Sequence, residues 1–234
     1  MTDVLVVIPW RATDPHREAA LRWVKEKWAA LGLQVAVGGL ERGPWCKAEA
    51  VMAALADSPA EVIVVADADC WSTGVPAAID LVRQGAPWAM PHYLVHRLDP
   101  DATARVLAGE EPHDELAVDP TVQTPYGGTP AGGIVVVRRD VWHDCPLDPR
   151  FRGWGHEDDS WGRALDALYG RPARPSLPIP RLYHLWHPPQ PRVTWGLGSK
   201  ESWDLNQRYV RAWTIARRRG DTAPMRALIE EARR

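Results

Sequence analysis

The chain has 234 residues, 45% of them hydrophobic and 25% charged, which is enough apolar material for a full core and is most simply read as one domain. A formal net charge of −2 excludes a global attraction to polyanions and leaves only a local basic patch as a route to one. The three cysteines, Cys46, Cys70 and Cys145, are odd in number and far apart, so neither a disulfide framework nor a zinc knuckle is expected, and a reduced compartment fits best.

At the start, MTDVLVVIPW carries an apolar run too short for a signal sequence and lacks a basic lead-in and a cleavage site. No apolar run is long enough to span a bilayer, so the expectation is a cytoplasmic protein with no integral membrane contact. DVLVVIP is a β-branched run ended by Pro9 and predicts a buried strand. Asp14 and Pro15 follow as N-cap and first residue of a helix, along which Leu21, Val24, Trp28 and Leu31 recur at helical spacing until Gly32. LQVAVGG predicts a second strand, CKAEAVMAALA a second helix, and EVIVVAD a third strand whose unbroken apolar character implies cover on both faces. Past PWAM the rhythm weakens, and the polar text of 92–130, rich in Pro, Asp and Thr, predicts long loops over a site. GGIVVV restores a strand, RRDVWHDC a short helix and EDDSWGRALDALYG a longer one. Proline-rich RPARPSLPIP links these to RLYHLWH, and two helical patterns separated by RRRGDTAP fill 200–234. Strands alternating with helices indicate an α/β domain with a largely parallel sheet.

Several residue clusters on this frame carry chemistry. VVADADC places Asp67 and Asp69 at the carboxyl end of the third strand, where open α/β sheets bind ligands. Two carboxylates so spaced can hold a divalent cation that neutralises phosphates, or can simply cap a turn. LYHLWHPP offers His184 and His187, whose neutral imidazoles suit a metal such as manganese, although a histidine beside Trp186 is ordinarily a packing residue. Arg11, just after the first strand, and Lys47, at the start of the second helix, can approach phosphates at the same sheet edge or stand as plain surface cations. GWGHEDDSWGRAL sets Glu157, Asp158 and Asp159 between tryptophans and glycines ahead of a helix. A solvated charge run would sit among lysines and glutamates instead.

Together these residues resemble the GT-A glycosyltransferases, in particular their galactosyltransferase-like and family-2-like branch. The matching motifs are IPWR after the first strand, CKA at the second helix with Cys46 in place of the family's Asn, DAD, GGIVVV, WGHEDD and the late His of HLWH, in the family's order from Ile8 to His187. The resemblance implies a single GT-A (Rossmann-like) domain over 1–198, with a mostly parallel central sheet and a helical C-terminal extension, 199–234, packed on it. It implies transfer of a sugar from a nucleotide-diphosphate donor, a UDP-sugar, to a hydroxyl, with inversion. Asp158 becomes the general base and Glu157 its orienting partner, at a helix N-terminus whose dipole tolerates carboxylates. Asp69, His184 and His187 hold Mn²⁺ or Mg²⁺. Pro9, Trp10, Arg11, Lys47, Asp67, Gly132 and Gly133 line the nucleotide-sugar site, and Trp154 packs on a sugar face.

Two rival classes share parts of this pattern: a metal-dependent nucleotide-sugar hydrolase and a catalytically silent sugar-binding module. The acceptor is open among a glycan, a small molecule and a hydroxylated base in phage-type DNA. Basic clusters VRR and ARRRG, with aromatic residues nearby, favour the last of these, and the net charge opposes it.

Overall fold

The computed structural model describes residues 3–12, 14–40, 43–56, 58–122, 131–176, 179–188 and 199–234. Strand β1 (Val4–Trp10) is buried almost throughout, with β2 (Gln34–Gly39) and β3 (Val62–Ala66) parallel on either side. It continues through Pro9 instead of ending there. Pairing with β3 stops at Val7, so the missing amide of Pro9 removes no ladder bond on that side. Helix α1 (Pro15–Ala30) begins as its sequence predicts, with the Asp14 carboxylate accepting from the Arg17 amide at 3.0 Å. Helix α2 (Lys47–Leu55) returns between β2 and β3. Gly38 lets it lie flat on the sheet, since a Cβ there would stand 1.8 Å from the Ala50 carbonyl oxygen. Gly38→Ala is therefore expected to cost about 3 kcal/mol, the upper part of the overpacking range, because backbone and not a side chain must give way. An unchanged urea midpoint would contradict this.

After β3 come β4 (Cys70–Trp71), α3 (Val75–Arg83), β5 (Trp88–Ala89), β6 (Leu94–Arg97), α4 (Pro100–Leu107), β7 (Ile134–Arg138), α5 (Arg139–Asp144), α6 (Glu157–Tyr169), β8 (Arg181–His184), α7 (Lys200–Arg219) and α8 (Ala223–Ala232). The large sheet has the order β2-β1-β3-β7-β5, and β7 runs against both of its neighbours while the other strands share one direction. The expected sheet is present with one strand reversed. A second sheet, β4-β8-β6, stands beside it.

The expectation of long loops over 92–130 is corrected by β6 and α4, which lie within it. Helix α4 carries its own start signal, Pro100 at its first turn and Asp99 accepting from the Ala102 amide at 2.7 Å, but buries only Ala102, Thr103 and Val106 and so shows little periodicity. Residues 123–130 of that stretch lie outside the described residues.

Alternate residues of the large sheet feed two cores. Val4, Val6, Ile8, Val64 and Ile134 face α1 through Val24 and Trp28, whereas Leu5, Val7, Ile63 and Val135 face Val51, Trp161 and Leu165. Leu205, Tyr209, Met225 and Ile229 of the last two helices belong to the second core. Among the described residues no helix is long and apolar enough to cross a membrane.

Candidate active site

The carboxyl ends of β1, β2 and β3 meet at one edge of the sheet, and the site is built there. The Asp67 amide donates to the Gly133 carbonyl at 2.8 Å, which ties the start of β7 to the end of β3. Gly133 has φ +80°, and a Cβ on it would stand 2.4 Å from Leu182 Cδ2, so only glycine fits this approach. Gly132 lies in the same turn, its carbonyl accepting from the Ile134 amide at 3.1 Å.

Lys47 lies at the centre. As the first residue of α2 it points past the strand ends, with only 6% of its side chain exposed, and its ammonium donates to Asp67 Oδ1 at 2.6 Å and to Asp158 Oδ1 at 2.7 Å. Burial alone would discharge this lysine, but the charges of Asp158, Asp67 and Glu157 outweigh it and raise its pKa well above the ordinary value. One ammonium thus serves three carboxylates. The shortage shows on Asp158, which burial, and then repulsion by Asp67 and Glu157 against the pull of Lys47, raises to about 7. Glu157 is raised as well, first by burial. Asp158 still exposes 23% of its side chain, so a hydroxyl can reach it. Asp159 differs from both, because its two oxygens accept from Arg163 one turn on, at 2.9 and 3.1 Å.

Two residues beyond Asp67, the small sheet assembles a different cluster. His184 sits in the middle strand opposite Cys70, and the Leu185 amide donates to the Asp69 carbonyl at 2.8 Å, so the register of β4 on β8 fixes Asp69 against the histidines. His187 Nε2 lies 3.3 Å and His184 Nε2 3.7 Å from the Asp69 carboxylate, and one ligand atom from each of the three residues falls within 4.8 Å of the others. Burial lowers His184 to about 4, with the Arg97 charge working the same way and Asp69 against it, leaving a neutral imidazole with a lone pair to give. Burial pushes Asp69 up, yet His184, His187 and Arg17 hold it at about 2. Of the three, Arg17 is the group whose charge no accessible pH removes. A carboxylate and two imidazoles at this spacing fit a divalent cation of intermediate softness.

The other sequence candidates fall as follows. Pro9 is buried in β1 and Trp10 half-buried at its end. The Arg11 guanidinium donates to the Leu40 and Gly43 carbonyls at 3.1 and 2.9 Å and lies 5.6 Å over the Trp45 ring, so it organises the loop that delivers Lys47. Trp154 is 44% exposed. VRR lies at the opposite edge of the sheet, where Arg138 pairs with Val62 at the start of β3, and does not converge on the site.

Sequence reasoning missed Arg17, whose Nη1 stands 3.8 Å from Asp69 and whose Nη2 stands 3.1 Å from the His187 ring. It also missed His156, the residue before Glu157, which has φ +73° where glycine or asparagine is usual. Asn206 of α7 fixes it, placing Nδ2 3.3 Å from His156 Nδ1 while its Oδ1 accepts from Ser160 Oγ at 2.9 Å.

No protein-family model and no curated protein matches the sequence. Solved structures match in three dimensions. S. aureus TarS 1–349 in complex with UDP superposes with a TM-score of 0.56 at 13% identity, over 99% of this chain and 70% of that one. The catalytic domain of Drosophila β1,4-galactosyltransferase 7 in complex with xylobiose gives 0.51 at 15%, over 88% and 80%. The fold is that of the GT-A glycosyltransferases. GalNAc-T7 with UDP, GalNAc and Mn²⁺ gives 0.51 at 13%, with 98% of this chain spanning 55% of that one. At these identities the likeness is one of fold, and the chemistry of this GT-A domain rests on its own residues.

Proposed function

We propose that this GT-A domain is a metal-dependent glycosyltransferase that moves a sugar from a nucleotide-diphosphate donor, a UDP-sugar, to an acceptor hydroxyl, with Asp158 as general base. The observation that carries the reading is the Asp67–Lys47–Asp158 bridge, which sets a carboxylate of raised pKa beside the Asp69, His184 and His187 trio on one sheet edge. UDP and Mn²⁺ in structures of the same fold support the choice of donor and cation. When bound by Asp69, His184 and His187, Mn²⁺ or Mg²⁺ would neutralise the diphosphate and stabilise its departure.

Asp158 accepts the proton of the acceptor hydroxyl as that oxygen bonds to the anomeric carbon, and the bond from this carbon to the diphosphate oxygen breaks with its electron pair going to the nucleotide. A base on the face opposite the leaving group gives inversion. Lys47 holds Asp158 Oδ1 in one place and stays charged, while Glu157, a residue earlier on the same helix turn, orients sugar or acceptor hydroxyls. Asp67 contacts the ribose or the water around the cation, and Pro9, Trp10 and the Gly132–Gly133 turn line the nucleotide side. The extension 199–234 is part of the same unit in this reading.

The raised Asp158 fixes the sign of a pH dependence. Below its pKa the base is protonated and idle, so kcat/KM rises with pH and levels off above about 7. A profile flat across that range, measured at constant free Mn²⁺, would remove Asp158 from the rate-limiting proton transfer.

A further inference from the structure

Helix α7 presents Trp203 to solvent with 50% of its surface exposed, although the same turn buries Ser202, Leu205 and Asn206. A large indole left open on a helix packed by its other faces calls for a reason. Its ring meets the His156 ring edge-on, with centroids 5.4 Å apart and planes at 66°. His156 is held from the other side by Asn206. Since the Asn206 oxygen is taken by Ser160, its amide nitrogen is the donor towards His156 Nδ1, and a neutral His156 carries its proton on Nε2. That Nε2 is buried and has no partner among the described residues. The loop leading into it is pinned at its start, by the Gly153 amide donating to the Trp45 carbonyl at 2.7 Å and by Ser202 Oγ donating to the Arg152 carbonyl at 3.4 Å. Trp154, the other exposed indole of this region, lies on that loop.

We propose that Trp203, with His156 and Trp154, forms an acceptor subsite for a neutral pyranose ring, so that the acceptor is a glycan or glycoside. The ring's apolar face stacks on an indole and its hydroxyls meet the polar groups around it, the usual division of labour for an amphipathic ligand. Strain at His156 is confined to the residue that joins this platform to Glu157 and Asp158, as expected where geometry is held for function.

Charge decides between a neutral ring and a nucleic acid base. Glu201 and Asp204 flank Trp203 on α7 and the Glu157–Asp159 block follows its partner His156, while among the described residues Lys200 pairs with Asp204, Arg163 with Asp159 and Arg152 with Glu49. The basic run at Arg217, Arg218 and Arg219 lies at the far end of α7, roughly 20 Å from Trp203 at the helical rise per residue. A polyanion would meet carboxylates at the platform and lose the counterion release that drives such binding.

This inference depends on the proposed transfer reaction only for calling the bound ring an acceptor, so binding and transfer are measured separately on the full chain. Cellobiose, xylobiose and methyl β-galactoside are titrated against indole fluorescence, beside a hydroxymethylated DNA duplex. The expected result is saturable quenching by at least one sugar, weakened at least about tenfold in Trp203→Ala and restored in Trp203→Tyr, with little dependence on salt. In turnover with that sugar as acceptor, Trp203→Ala should raise acceptor KM more than it lowers kcat. Circular dichroism of Trp203→Ala checks that α7 is retained. Absence of quenching by all three sugars, equal affinity in Trp203→Ala, or salt-sensitive binding of the duplex alone would overturn the proposal. Sugar binding that follows these expectations without any donor turnover would leave the subsite standing and sink the transfer reaction instead.

Discussion

Asp158→Asn is expected to keep the fold and the donor affinity while losing on the order of 10²-fold or more in transfer rate, the usual contribution of a positioned general base. Asparagine keeps the shape of the side chain and an oxygen for the Lys47 ammonium, which also retains Asp67. What disappears is the group that takes the proton. Glu157→Gln should raise substrate KM as well as lower rate, since an orienting residue acts in binding and in positioning. Asp159→Asn should do least, because both Asp159 oxygens are already engaged by the Arg163 guanidinium. Single-turnover transfer with donor saturating separates the three. Near wild-type rates for Asp158→Asn with a crippled Asp159→Asn would move the base by one residue.

The second large effect concerns the cation. Asp69→Ala removes the one carboxylate of the trio and leaves the Arg17 guanidinium facing two imidazoles, so both the charge and the geometry for a divalent ion are lost. Calorimetry should find that Mn²⁺ no longer strengthens UDP binding to Asp69→Ala, and that His187→Ala is weakened at least about tenfold, within the range seen when residues supporting a metal are removed. Transfer should stop in excess chelator and return with Mn²⁺. Mn²⁺-enhanced UDP affinity surviving in both variants would place the cation elsewhere.

The sequence patterns that proved readable are those governed by local rules. The unbroken apolar runs of DVLVVIP and EVIVVAD, and the Asp14–Pro15 start of α1, place two buried strands and the first helix where they are found, with only the end of β1 running on past Pro9. Asp69, His184 and His187 were nameable because their donor chemistry is specific, and the structure brings them together through the β4–β8 register. The reversal of β7 was invisible, since GGIVVV reads alike in either direction. Arg17 gave no sign, because an arginine three residues past an N-cap is ordinary helix surface, and only the packing of α1 against the late histidines gives it a role. His156 and Asn206 are fifty residues apart, and their contact depends on how α7 lies along α6. The sequence allows Lys47 to be a phosphate ligand or a plain surface cation, and its partners are carboxylates from two other segments, a relation no spacing rule contains.

Nucleotide release from UDP-sugars in the presence of Mn²⁺, followed with and without a neutral glycoside acceptor, tests the central claim most directly. The account predicts release that requires the cation, is accelerated by the acceptor in step with formation of a glycosylated product, and loses that acceleration in Asp158→Asn. Cation-dependent release that is indifferent to every acceptor and unchanged in Asp158→Asn would identify a nucleotide-sugar hydrolase and contradict it.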